Sequence, residues 1–138
     1  MTMTAKEYLT QALAIERLIA AKRRLLKKLQ WQSISLSAPV SSDKVMGAYQ
    51  MSMSTADKIM DLETEIRNQE QELVERQKEI IKRIDVVGNP NLIALLIHKY
   101  VTGMSIEKVA EEMNISRRTA CVWHGQAMQI FRKETGLT

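Results

Sequence analysis

Cysteine and histidine are scarce in this sequence, which contains one Cys and two His. A single cysteine excludes an internal disulfide bond and any metal site built from several cysteines, and it fits a reducing compartment. His98 and His124 lie far apart in the chain, and neither has an acidic residue at the spacing of a metal-ligand pair. The sequence therefore predicts no metal site and no cofactor.

Long apolar runs are absent as well, because charged residues interrupt the apolar stretches, as they do between Thr4 and Leu29. No run approaches the ~20 residues that a membrane-spanning helix needs, and the first residues do not form a signal peptide. The sequence offers no phosphate-binding loop and no set of nucleophile, base and orienting residue. We therefore expect a cytoplasmic protein that is not an enzyme and has no membrane partner.

Aromatic residues make up only 4% of the chain, so the core must rest on Leu, Ile, Val and the 9 Met residues. The length of 138 residues suits one domain, or a small domain with an extension. The net charge of +4 and the pI near 9.3 give a mild preference for polyanions. Composition thus allows nucleic acid as a partner without requiring it.

Two long helices are predicted in residues 1–87, one from Thr4 to about Trp31 and one from Thr55 to about Val87. Neither stretch contains Pro or Gly, and in each the apolar residues recur at helical spacing. The first stripe consists of Tyr8, Ala12, Ile15, Leu18, Ile19, Leu25, Leu26 and Leu29. The second has the heptad spacing of a coiled coil with three polar positions, and it consists of Ile59, Leu62, Ile66, Gln69, Leu73, Arg76, Ile80, Arg83 and Val87.

Residues 33–54 separate the two helices and contain seven Ser, one Pro and one Gly. This composition predicts a long connection, in which Met46, Tyr49 and Met53 allow a short amphipathic helix. The sequence leaves open whether the connection covers its neighbours or binds a partner. A basic run at residues 22–28 precedes it and acidic residues at 57–65 follow it. An antiparallel, coiled-coil-like hairpin would bring these opposite charges together.

A second domain is predicted over residues 88–138, where Gly88 ends the long helix and Asn89 with Pro90 begins another. The apolar face of this helix consists of Leu92, Leu95, Leu96 and Tyr100. We expect this face to support the two short helices that follow it.

Those two helices have the pattern of a helix-turn-helix. Gly103 stops the preceding helix, and Ser105 can cap the next one. Asn114 favours the left-handed conformation found at helix ends, and Ser116 can cap a further helix that begins at Arg117. The turn is about three residues long, as the motif requires. The buried faces are predicted to consist of Ile106, Val109, Ala110 and Met113 on the first helix, and of Ala120, Trp123, Ala127, Ile130 and Phe131 on the second.

The predicted outward residues near the start of the last helix are the candidate DNA-binding residues. A recognition helix reads the major groove near its N-terminal end, where Arg can contact a base or a phosphate. Two adjacent arginines at the positive end of a helix dipole also favour an anion. Ser105 and Lys108 open the helix that crosses the backbone in this motif. The candidates are Ser105, Lys108, Ser116, Arg117, Arg118, Cys121, Val122 and His124, with His124 expected to touch a phosphate.

A family resemblance lies in the motif Leu96-x-x-x-Tyr100-x-x-Gly103-x-Ser105-x-x-x-x-Ala110-x-x-Met113-x-Ile115-Ser116-x-x-Thr119. This motif resembles region 4 of bacterial sigma factors, which reads promoter DNA, and the related helix-turn-helix of LuxR-type regulators. The whole chain, with its opening Ala5-Lys6-Glu7-Tyr8-Leu9 and its long helical middle, resembles phage-encoded late-transcription regulators of the ArpU and RinA type. Ala120 departs from the Val or Ile usual in these families, and Cys121 and Val122 are less polar than their recognition residues. The bound DNA sequence therefore does not carry over.

The sequence as a whole predicts an all-α protein with a long N-terminal antiparallel helical hairpin and a C-terminal helix-turn-helix domain. The leading hypothesis is a sequence-specific regulator of phage or prophage late genes that binds double-stranded DNA. Its hairpin would mediate self-association into a homo-oligomer or contact RNA polymerase. One alternative is a DNA-packaging protein similar to a small terminase subunit, which would form a large ring. Another is a coiled-coil interaction protein whose helix-turn-helix binds protein.

Overall fold

The computed structural model describes the backbone of residues 3–36 and 42–138, and within them the side chains of residues 3–34 and 55–138. Every regular element in these ranges is helical, which confirms the predicted all-α class. The α-helices are α1 (Ala5–Leu9), α2 (Gln11–Leu36), α3 (Ser42–Ile84), α4 (Pro90–Leu96), α5 (Ile106–Glu112) and α6 (Arg117–Thr135). A 3-10 turn, Asp85–Val87, follows α3, and a π-helical turn, Ile97–Val101, follows α4.

The first predicted helix is divided at Thr10. Thr4 and Glu7 cap α1 reciprocally, each side chain accepting a hydrogen bond from the other's backbone N–H at 3.1 Å. The Thr10 hydroxyl donates to the carbonyl oxygens of Lys6 (2.9 Å) and Glu7 (3.1 Å). Such back-bonding by Thr competes with the regular helical pattern, and α2 begins at the next residue, Gln11.

The connection predicted over residues 33–54 is too long, because α2 extends to Leu36 and α3 already begins at Ser42. Ser disfavours a helix interior by less than ~0.7 kcal/mol and Gly by about 1 kcal/mol relative to Ala. Extending an existing helix needs no new nucleus, so the long helices continue into the Ser-rich stretch. Residues 37–41 lie outside the described residues, as do the side chains of Met46, Tyr49 and Met53 that were predicted to form an amphipathic face.

One compact unit combines the residues up to Ile15 with Leu73–Thr138. Its core confirms the predicted apolar faces of α4 and α6, and it also receives side chains from α1 and from the end of α3. The Phe131 ring stacks on that of Tyr8, with 6.2 Å between the ring centres. The largest fully buried side chains are Phe131, Leu9, Ile80, Ile84, Leu95, Leu96 and Val109. Parts of the segment predicted as a hairpin, residues 1–87, thus belong to the core that surrounds α4 to α6.

The second unit, Glu16–Glu72, consists of parts of α2 and α3. Leu62 and Ile66 of the predicted heptad stripe are buried there, together with Ile19 of α2. Lys22 Nζ lies 3.2 Å from Glu65 Oε2, and Arg23 pairs with Glu70. The basic run of α2 is therefore neutralised in part by acidic residues of α3.

Candidate nucleic-acid interface

Serine side chains cap both α5 and α6, as the sequence predicts. Ser105 has an extended backbone (φ −66°, ψ 160°), and its Oγ accepts a hydrogen bond from the Lys108 amide at 3.2 Å. Ser116 has a similar conformation (φ −70°, ψ 156°), and its Oγ accepts from the Thr119 amide at 3.0 Å. Each hydroxyl satisfies a backbone donor that the helix leaves free, so both helix starts are fixed by local hydrogen bonds.

The turn between α5 and α6 depends on Asn114, which adopts the left-handed conformation (φ 56°) expected for it. The amide of Asn114 donates to the Glu111 carbonyl at 3.2 Å, and that of Ile115 donates to the Ala110 carbonyl at 2.9 Å. These bonds close the end of α5 and turn the chain into α6. Ile115 is half-buried at this corner, the position from which an apolar side chain can hold the two helices together.

Packing fixes the orientation of α6. Ala120, Ala127 and Phe131 are fully buried, and Val109 of α5 lies in the same core. The predicted inner faces of α5 and α6 are confirmed at these positions, while Trp123 and Ile130 are half-buried. Because one side of α6 is held in this way, the opposite side is presented to solvent in one orientation.

The exposed side of α6 displays four of the predicted site residues near its start: Arg117, Arg118, Cys121 and Val122. The Val122 side chain is 51% exposed and Cys121 is a free, exposed thiol. Ser105, Lys108 and Ser116 are exposed as well. Seven of the predicted residues are thus accessible to a partner.

Arg117 has an intramolecular partner that sequence reasoning missed. Its Nε lies 3.0 Å from Oε1 of Glu107, in the first turn of α5. Both side chains remain mostly exposed, at 69% and 59%, so the pair contributes no more than about 1 kcal/mol. It nevertheless restricts the direction of the Arg117 guanidinium. Among the described residues, Arg118 has no such carboxylate partner.

His124 does not point outward as predicted. It is half-buried, and its Nε2 forms a 2.7 Å hydrogen bond with the Tyr100 hydroxyl of the π-helical turn. Burial lowers the pKa of His124, and the nearby charges of Lys99, Arg132 and Lys6 lower it further. The imidazole is therefore neutral at physiological pH and is engaged with Tyr100. The prediction failed because position 124 lies at the border of the buried face, where a long-range partner decides the orientation.

Comparison of the sequence with models of protein families gave a match. A family model described as "Protein of unknown function (DUF1492)" matches residues 34–132. The chain belongs to the DUF1492 family. No curated protein and no solved structure matches it.

The DUF1492 match contains α3 to α5 and most of α6, and so includes all eight predicted site residues. The helix α1 and most of α2 precede the match. Within residues 3–34 and 55–138, no three His, Cys, Asp or Glu side chains come together as a set of metal ligands. None of the helices described is long and apolar enough to cross a membrane.

Proposed function

We propose that this DUF1492 protein is a sequence-specific DNA-binding transcriptional regulator, in which α5, the turn at Asn114 and α6 form a helix-turn-helix. The observation that supports this proposal best is the exposure of Arg118, Cys121 and Val122 on the first turns of α6. A recognition helix reads base edges with side chains at this place. The capped start and the buried opposite face of α6 would present them to a major groove as one rigid surface.

The proposed roles of the two arginines differ because adjacent helical residues point about 100° apart. Arg118, which has no carboxylate partner, is assigned to a base edge, where bidentate contact with guanine is its most frequent specific interaction. Arg117 is assigned to a phosphate. Its exposed pair with Glu107 is weak, so a phosphate of the duplex backbone would replace that carboxylate at little cost.

Ser105 and Lys108 are assigned to the backbone of the duplex, because they open the helix that crosses it. Lys108 Nζ lies 3.8 Å from Glu111 Oε2, at the outer limit of an ion pair. That contact is exposed and weak, so a phosphate could replace the carboxylate at little cost.

We further propose that α2 and α3 form an antiparallel hairpin that mediates self-association or contact with RNA polymerase. The pairs Lys22–Glu65 and Arg23–Glu70 support a close approach of the two helices. Leu18, Leu25 and Met60 of these helices are 45%, 48% and 66% exposed, which leaves apolar surface for a partner. The resemblance to phage regulators of late transcription suggests late genes of a phage or prophage as the target.

Selection from a random pool of DNA duplexes tests the main proposal. The full chain should enrich a defined motif at physiological salt, and Arg118→Gln should lose preference at one position, at a cost of about 1–3 kcal/mol. Arg117→Gln should instead weaken binding to all duplexes alike. Lys82→Gln, an equal change of charge at an exposed position of α3, is the control. Failure to enrich any motif, with equal binding by all four proteins, would refute sequence-specific recognition.

A further inference from the structure

Three cationic side chains from three separate elements lie within electrostatic range of the Tyr100–His124 hydrogen bond. Lys99 Nζ, in the π-helical turn, lies 5.7 Å from the centre of the Tyr100 ring. Lys6 of α1 and Arg132 of α6 are close enough to His124 to lower the pKa of its imidazole, as Lys99 does. The stacking of Tyr8 on Phe131 brings α1 to this part of α6. We call Lys6, Lys99 and Arg132 the Tyr100 cation cluster.

The Tyr100 cation cluster has no ion pair within the described part of the chain. None of its three side chains forms an ion pair or a hydrogen bond with a residue that the structure describes. Five other cationic side chains each have a carboxylate partner, namely those of Lys22, Arg23, Arg76, Lys108 and Arg117. Like charges that gather without a counterion repel each other, so this cluster is suited to an external anion.

The position of Arg132 on α6 shows what kind of anion could reach it. At 100° and 1.5 Å per residue, Arg118 and Arg132 point within about 40° of each other and lie about 21 Å apart along the axis. The major groove of DNA is about 12 Å wide. If the start of α6 lies in the groove, Arg132 therefore lies beyond it, where the flanking phosphates are.

The π-helical turn contributes to the same surface. A π-helical turn adds a residue to the regular helical repeat and occurs often at functional sites. Here the turn holds Lys99 half-buried over the Tyr100 ring while Tyr100 itself is fixed by His124. The Lys99 ammonium thereby lies near Tyr100, whose hydroxyl is hydrogen-bonded to His124 of α6.

We propose that Lys6, Lys99 and Arg132 form a second DNA-contact surface, which binds backbone phosphates flanking the bases at the start of α6. This inference rests on the proposed DNA-binding function and extends it to residues outside the predicted site. The surface recognises phosphate charge and has no preference for base sequence. It adds affinity and orients α6, whereas Arg118 supplies selectivity.

The salt dependence of binding to a fluorescent duplex of random sequence tests this surface. Each phosphate contact adds about 0.9 to the slope of log affinity against log salt. We expect the double variant Lys99→Gln/Arg132→Gln to lower the slope by about 1.8, and a further Lys6→Gln change by about 0.9 more. Lys99→Arg/Arg132→Lys keeps both charges and should keep the slope.

Lys78→Gln/Lys82→Gln is the matched control, because both lysines are exposed on α3 in the same unit and neither has an ion-pair partner among the described residues. Its slope should equal that of the unmodified protein, and circular dichroism should show equal helix content in all variants. If Lys99→Gln/Arg132→Gln behaves like this control while Arg118→Gln still loses selectivity, the second surface is refuted and the proposed function stands. If the unmodified chain binds no duplex at low salt, both are refuted.

Discussion

Ser116 determines where α6 begins. Its Oγ accepts a hydrogen bond from the Thr119 amide at 3.0 Å, and its hydroxyl donates a hydrogen bond to Thr119 Oγ1 at 2.9 Å. We expect Ser116→Ala to lower the free energy of unfolding by about 1 kcal/mol, because the amide loses its acceptor. Urea unfolding measures the change. Ser33→Ala, within α2, is the control and should cause no loss. An unchanged midpoint for Ser116→Ala would contradict the assigned role of the cap.

Asn114 can be tested separately, because its left-handed conformation (φ 56°) is unusual for a residue with a Cβ. Asn114→Ala should destabilise the fold by about 1 kcal/mol, while Asn114→Gly should be neutral or slightly stabilising. The comparison by thermal unfolding isolates the backbone conformation, since both variants lack the Asn side chain. Equal losses in the two variants would instead assign the effect to the amide group.

His124 should make stability depend on pH. Burial and three nearby cations hold its pKa below the ordinary 6.5, so the folded state favours the neutral imidazole. Below about pH 6.5 the unfolded chain therefore binds more protons than the folded one, and stability falls as pH decreases. We expect His124→Gln to lose less stability than the unmodified protein between about pH 7.5 and pH 5. The two proteins share every other titratable group, so urea unfolding at both pH values isolates the contribution of His124 to the pH dependence. Equal losses of stability in the two proteins would contradict this role of His124.

The ends of the short helices were predictable from the sequence, because the residues that define them act on close neighbours in the chain. The side chains of Asn89, Ser105 and Ser116 each accept a hydrogen bond from a backbone amide two or three residues further on. The left-handed conformation of Asn114 is one that Asn itself favours. A single sequence contains such information directly. The inner face of α6 follows from periodicity for the same reason.

Other features depend on contacts between elements, which no local pattern reveals. The pair of Arg117 with Glu107 and the bond of His124 with Tyr100 both join different helices. The division at Thr10 and the extent of α2 and α3 into the Ser-rich stretch reflect small differences in free energy. The candidate site was therefore predictable in its exposed residues but not in what restrains them.

The Glu107–Arg117 pair leads to a prediction about α5 and α6 together. Glu107→Gln removes a negative charge from the proposed interface and releases Arg117, so affinity for random duplex should rise. Glu112→Gln, also exposed on α5 but without an ion pair in the described chain, removes the same charge and is the control. We expect a clearly larger increase for Glu107→Gln in fluorescence anisotropy. Equal increases would show that net charge alone is responsible and that the pair does not restrain Arg117.

The core around α6 needs residues from α1 and from the end of α3, which lie far from α6 in the sequence. Tyr8 and Leu9 of α1 and Ile80 and Ile84 of α3 are buried with Phe131. Each such side chain contributes about 1.5–3 kcal/mol through burial, against a total stability of about 5–15 kcal/mol for a typical domain. A fragment of residues 88–138 lacks all four. It should therefore keep some helix but lose cooperative unfolding and bind DNA weakly.

A shortened chain without the second unit, Glu16–Glu72, distinguishes the effect of the missing core residues from the effect of that unit on DNA binding. Residues 1–15 joined by a flexible Gly/Ser linker to residues 73–138 retain the whole first unit. This chain should unfold cooperatively when followed by circular dichroism, unlike residues 88–138. Its affinity for random duplex should still be below that of the full chain, because a single module makes fewer phosphate contacts than two modules held together. Light scattering on both proteins reports whether the second unit causes association. Equal DNA affinity and equal mass for the two would show that the α2–α3 segment does not bring copies together, and would leave contact with another protein as its proposed role.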